Sequence, residues 1–173
     1  MQLTAALAAC SSLVGCLLSP PADYEDEQRI PPRLEVLTAE PVPYTFHVFH
    51  PGDSVDFKVW VESNDVSADG ESRLLAVLIR NFDGYADGEL DVQKFRFIPA
   101  ARLDDGPREV SVSYTFDETD GCYQYTLFVT HSDNGNPPEE VARPEDVAIV
   151  TWWVIVDSDD ELDYSGCLTE GQQ

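Results

Sequence analysis

Val55-Asp56-Phe57-Lys58-Val59-Trp60-Val61-Glu62 places an apolar residue at every second position, and in an extended chain that spacing sends alternate side chains to opposite faces. The stretch predicts a half-buried strand with Val55, Phe57, Val59 and Val61 turned inward. Working outward, Pro51-Gly52-Asp53 is a turn before it, and Ser63 to Ser72 a polar loop after it. Leu74 to Ile79 is continuously apolar, as suits a central strand covered on both faces. Further strand signals lie at Arg33 to Thr38 and Tyr44 to Phe49, separated by Pro41 and Pro43. Proline cannot donate to a ladder, so this pair predicts an edge strand that breaks and switches sheets.

Downstream, the Asp- and Gly-rich run Asn81 to Asp91 precedes a short strand, Phe95 to Ile98, ended by Pro99, and Asp104-Asp105-Gly106-Pro107 turns the chain. Val110, Val112, Tyr114 and Phe116 then share one face. Gly121 to His131 and Val147 to Val156 are the longest strand signals, and pairing them antiparallel across residues 132–146 sets the end of the second beside Cys122. Eight strand signals with Gly, Pro and Asp turns and no helical period predict an all-β, antiparallel sandwich of about seven to eight strands.

From Arg33 to about Cys167 the chain resembles the immunoglobulin and fibronectin type III superfamily. Asp120-Gly121 with Tyr123 is similar to a tyrosine corner with altered spacing, and the inter-sheet Cys-Trp-Cys arrangement is missing. The resemblance implies a fold and no activity.

The front of the chain has a different character. Residues 1–16 carry no charge, and Leu3, Leu7, Leu13 and Val14 among alanines form the apolar stretch of an export signal, too short to span a bilayer. Leu13-Val14-Gly15-Cys16 resembles the lipobox of bacterial lipoproteins, although no Lys or Arg follows Met1. That resemblance implies cleavage after residue 15 and lipidation of Cys16, and Leu17 in place of Asp implies outer-membrane sorting. Leu7-Ala8-Ala9-Cys10 also fits but leaves only nine residues ahead of its cysteine. The expected organisation is a signal over 1–15, an acidic Pro-rich tether over 16–32, an Ig-like domain over 33–167 and a tail over 168–173. The whole is similar to envelope lipoproteins with one Ig-like domain; an ordinary cleaved signal and secretion is the alternative.

Removing 15 of the 173 residues leaves 158, enough for one domain with a proper core. Asp plus Glu outnumber Lys plus Arg by 33 to 10, giving a net charge of −23. Nucleic acid demands the opposite sign and is excluded as a partner. Of the four cysteines, Cys10 and Cys16 belong to the signal. In an exported protein the remaining two, Cys122 and Cys167, suggest a disulfide, and Cys167 follows Val156 by eleven residues, which suits a short return.

Two acidic loops have the composition, though not the EF-hand spacing, of a Ca²⁺ site: Asp83, Asp87, Glu89 and Asp91 in one, and Asp157, Asp159, Asp160, Glu161 and Asp163 in the other. Solvated turn carboxylates are the ordinary reading. His47 and His50 fall on opposite faces of a strand and do not chelate together. No GxSxG, HExxH or SxxK motif is present. Trp60 lies opposite Val59 and Val61, and the adjacent Trp152 and Trp153 point to opposite sides of their strand, so each is either core filling or a binding platform. These readings predict a non-enzymatic, lipid-anchored envelope protein that binds or assembles with other envelope components and needs no cofactor. A Ca²⁺-dependent carbohydrate-binding or adhesion module, and then an envelope hydrolase, are the alternatives.

Overall fold

The computed structural model describes residues 30–65, 73–81, 91–118, 120–135 and 141–157. Eight strands run in chain order: β1 (Ile30–Leu34), β2 (Phe46–Phe49), β3 (Ser54–Asn64), β4 (Leu74–Arg80), β5 (Asp91–Ile98), β6 (Arg108–Thr115), β7 (Gly121–His131) and β8 (Val147–Val156). They form a three-stranded sheet in the order β1-β3-β6 and a five-stranded sheet in the order β2-β8-β7-β4-β5. This two-sheet arrangement is the all-β sandwich predicted from the strand signals, and its strand order follows the immunoglobulin pattern.

The strand switch at the prolines is present. β1 pairs antiparallel with β3 in one sheet, whereas β2 pairs in parallel with β8 in the other, the one parallel pair among the described residues. Between them Glu35 to Glu40 bridges back to β3, Glu40 exchanging two backbone bonds with Lys58 before the cis Glu40–Pro41 peptide. β1 begins at Ile30, ahead of the expected Arg33, because the Ile30-Pro31-Pro32 run read as tether is already extended against β3 through a bulge. An edge position tolerates prolines that donate nothing.

The inward residues of both sheets meet in one core. Phe57, Val59 and Val61 from β3, Val110, Val112 and Tyr114 from β6, and Leu127, Val129, Trp152 and Val154 from β7 and β8 are all buried in it. Phe57 stacks on Tyr125 at 5.4 Å and meets Trp152 at 4.8 Å. Burying a large aromatic side chain contributes roughly 1.5–3 kcal/mol, so this trio is a substantial part of the packing. Leu74 to Ile79 is buried at every position, as its unbroken apolar run requires. Its even members enter the core; Leu75, Val77 and Ile79 point the other way and form a second cluster with Phe128. Gly52, at φ 93° in the turn before β3, donates to Phe116 and closes that end of the sandwich.

Candidate interaction face

The two outer faces of the sandwich differ in chemistry. On the three-stranded sheet, β3 presents Asp56, Lys58, Trp60 and Glu62, and β6 presents Glu109, Ser111, Ser113 and Thr115. Ser113 donates to Asp56 at 2.5 Å, and Ser54 pairs with Thr115 at 2.8 Å. That face is tied up in its own polar pairs, with Trp60 the lone large apolar side chain, 40% exposed.

The five-stranded sheet carries apolar side chains on its outside, interrupted by the paired hydroxyls of Thr126 and Thr151. The register aligns Phe97 with Leu75, Phe95 with Val77, Val77 with Phe128, and Phe128 with Ile149, so one band crosses β5, β4, β7 and β8. Phe46 and Trp153, opposite one another across β2 and β8 with rings 6.3 Å apart, extend it to the far edge. The middle of the band is buried, Ile79 and Phe128 completely. Its flanks are not: Phe46, Val48, Val92, Phe95, Phe97 and Ile149 are between 41% and 68% exposed. Such a grouping is more than the scattered apolar residues of an ordinary surface and makes this face the candidate.

The tryptophans are thereby resolved. Trp152 is core, wholly buried, with its indole N–H donating to the Pro41 carbonyl at 2.5 Å, so it is not a binding platform. Trp153 is half-buried on the apolar band, while Trp60 stands on the opposite outer face; the structure does not bring them together.

Of the expected Ca²⁺ ligands, Asp83, Asp87, Asp159 and Asp160 lie outside the described residues. Asp157 is buried after β8, its backbone N–H bonded to Phe49. Asp91 is not a loop carboxylate; it opens β5 and pairs with Arg80 at 2.5 Å. Among the described residues no three His, Cys, Asp or Glu side chains gather as a metal-binding group. Cys16 and Cys167 also lie outside the described residues. Cys122 is half-buried on the outer face of β7, opposite Ile155, and is not a free thiol.

Two buried polar clusters escaped the sequence reading. In the first, Glu118, between β6 and β7, accepts from the hydroxyls of Tyr114 and Tyr125 and from Arg80 at 2.9 Å, while Arg80 also grips Asp91. Burial by itself would raise the Glu118 pKa, but the two phenols and the guanidinium outweigh it and hold the carboxyl below its ordinary range. Burial, together with the adjacent carboxylate, pushes both tyrosines well above theirs. Tyr125 thus secures this corner through a side chain, and Arg80 lies over the ring of Tyr123 at 5.7 Å.

In the second cluster, His131 at the end of β7 is fully buried between two carboxylates. Nδ1 lies 2.6 Å from Asp146 and Nε2 3.2 Å from Asp65. Arg108 reaches Asp65 at 2.6 Å, and the Ser63 hydroxyl donates to the same carboxylate. Desolvation would raise the pKa of Asp65, yet bonds from His131 and Ser63 and the Arg108 charge lower it.

Ser, His and Asp here do not make a catalytic relay. Ser63 bonds Asp65 instead of the imidazole, and all three are sealed from solvent, whereas a nucleophile needs its base beside it and a substrate within reach. The carboxylates flank different ring nitrogens and do not converge on one ion. Both clusters bind neighbouring strands and loops together. A strand-end histidine amid distant acids leaves no local sequence signal, because its partners are 15 and 66 residues away in the chain.

No known family matches the chain, and no curated protein matches it. Among solved structures it is similar to a superoxide reductase (neelaredoxin) from Ignicoccus hospitalis, at 9% identity over 75% of this chain and 82% of that one, with a TM-score of 0.40. It is also similar to the CARDB domain of the PF1109 protein from Pyrococcus furiosus, solved with di-metal ions, at 13% identity over 64% and 86%, with a TM-score of 0.37.

Proposed function

We propose that this protein is a non-enzymatic binding module of the bacterial cell envelope, held at the outer membrane by a lipid on Cys16 and acting through the outer face of its five-stranded sheet. The observation that carries the reading is the apolar band, with six large side chains between 41% and 68% exposed on a chain of net charge −23. A strongly acidic protein that keeps such a band on one face and a polar outer face on the other has an orientation to its binding. The polar clusters that would otherwise invite chemistry are buried, and their charged groups pair with one another. No helix among the described residues is long and apolar enough to cross a membrane, and attachment through the Cys16 lipid requires none.

A Cys122–Cys167 disulfide is part of the same proposal. Cys122 faces outward beside Ile155, two residues before the chain leaves the sheet at Asp157, so a bridge there ties the acidic C-terminal segment to the sandwich. Site-specific photo-cross-linking in intact cells tests the binding role. A photoreactive residue at Phe97 or Ile149 is expected to give a discrete protein adduct, and one at Ser113 on the other face none. Equal or absent adducts at both faces would remove the proposal.

A further inference from the structure

We infer that the free edge of β5 is a docking strand for an extended segment of another protein in which acidic and apolar residues alternate. The inference rests on the binding role proposed above and names the chemistry of the partner.

β5 ends the five-stranded sheet, and among the described residues only β4 pairs with it. Its second row of backbone N–H and C=O groups has no strand partner among the described residues, the usual hazard and the usual use of an edge. At the margin of the sandwich β5 lies alongside β6, the edge strand of the smaller sheet. That geometry explains its side chains. Ile98 enters the core, but Lys94 and Arg96, on the same side of the strand, stop at the rim and are exposed; Arg96 donates to the Ser111 carbonyl. Phe95 and Phe97 point to the other side, 68% and 48% exposed, with rings edge-on at 6.3 Å. Arg73 lies over Phe97 at 5.6 Å.

The edge therefore reads cation, aromatic, cation, aromatic from Lys94 to Phe97. Among the described residues, Arg73, Lys94 and Arg96 have no carboxylate within ion-pair distance, although acids outnumber bases by 33 to 10 in the chain. A strand added to β5 brings its own alternate side chains opposite these rows. Carboxylates fall beside Lys94 and Arg96, and apolar side chains continue the band beyond Phe95 and Phe97.

The segment belongs to a different protein. This chain leaves β8 at the end of the sheet remote from Phe95, two intervening strands and about 25 Å along the strands away, and the Cys122–Cys167 bridge proposed above returns its next nine residues to that same end. Two whole copies of net charge −23 repel one another at range, whereas a short acidic segment carries few charges and meets the cations of this edge directly.

The test is titration of the purified, monomeric mature domain with synthetic peptides. A peptide alternating glutamate with valine is expected to bind; one alternating lysine with valine is not. Lys94→Glu with Arg96→Glu should weaken binding about tenfold or more, while thermal unfolding stays unchanged because both side chains are exposed. Backbone N-methylation of alternate residues on the peptide's pairing edge should abolish it. Equal binding of both peptides, indifference to the charge reversal, or tolerance of N-methylation would each overturn the docking strand. Concentration-dependent self-association lost on the charge reversal would overturn the assignment to another protein. A surviving adduct at Ile149 in cells with no peptide binding here would sink this inference and leave the binding role standing.

Discussion

Replacing Glu118 with alanine should destabilise the sandwich by about 3–4 kcal/mol. The carboxylate is an acceptor for two buried phenols, and its side chain is 1% exposed. Tyr125 is wholly buried and donates its hydroxyl to Glu118, so losing that charged acceptor costs about 2–3 kcal/mol. Tyr114 keeps Gln93 at 3.0 Å and loses about 1 kcal/mol. Arg80 keeps Asp91 and is partly exposed, which adds little. Urea unfolding at neutral pH measures the loss, with Trp152 as the reporter because it is buried against Phe57. The decisive element is a double-mutant cycle. Tyr125→Phe alone should cost about 1–2 kcal/mol, yet in the Glu118→Ala background it should cost under about 0.5 kcal/mol, since it then removes a hydroxyl that has already lost its carboxylate. A single-mutant loss below about 1 kcal/mol, or strict additivity, would refute the view of Glu118 as the hub of the corner.

The same cluster and its counterpart set the acid response. Glu118 and Asp65 both have lowered folded pKa values, so the stability they contribute is complete above the ordinary carboxylate range and is lost as pH falls through the depressed values. Urea midpoints measured downward from neutrality should fall in the acid range, and less steeply in Glu118→Gln; an unchanged slope would contradict this. Trp152→Ala should cost about 3–5 kcal/mol and Trp60→Ala under about 1 kcal/mol by the same assay, because one is core and the other 40% exposed. Cys122→Ser, Cys167→Ser and the double variant should lose the same amount, about 2–4 kcal/mol; additive losses in thermal scans would rule out the bridge.

The strands that sequence reveals are those whose environment is periodic. Val55 to Val61 has one face in the core and one outside, and Leu74 to Ile79 is covered on both, so their patterns translate directly into burial. Pro41 and Pro43 likewise mark the sheet switch. β5 was harder to bound: a bulge opposite Leu78 and Ile79 shifts its phase, and Asp91 looks like a loop acid until Arg80 is seen beside it. The prolines at 31 and 32 hid the start of β1 for the opposite reason, since an edge accepts what a central strand rejects. The interaction face is legible only after the register is known. Phe46, Phe97 and Ile149 lie on three separate strands, and nothing local says that they share a side.

Both the place of this domain and the sense of its one-sided surface depend on how the mature chain begins. Intact-mass and N-terminal peptide analysis of the protein extracted from its native membranes tests that directly. The account predicts a chain starting at Cys16 and carrying fatty acyl groups; a mature chain that starts elsewhere, or a bare Cys16, would contradict it.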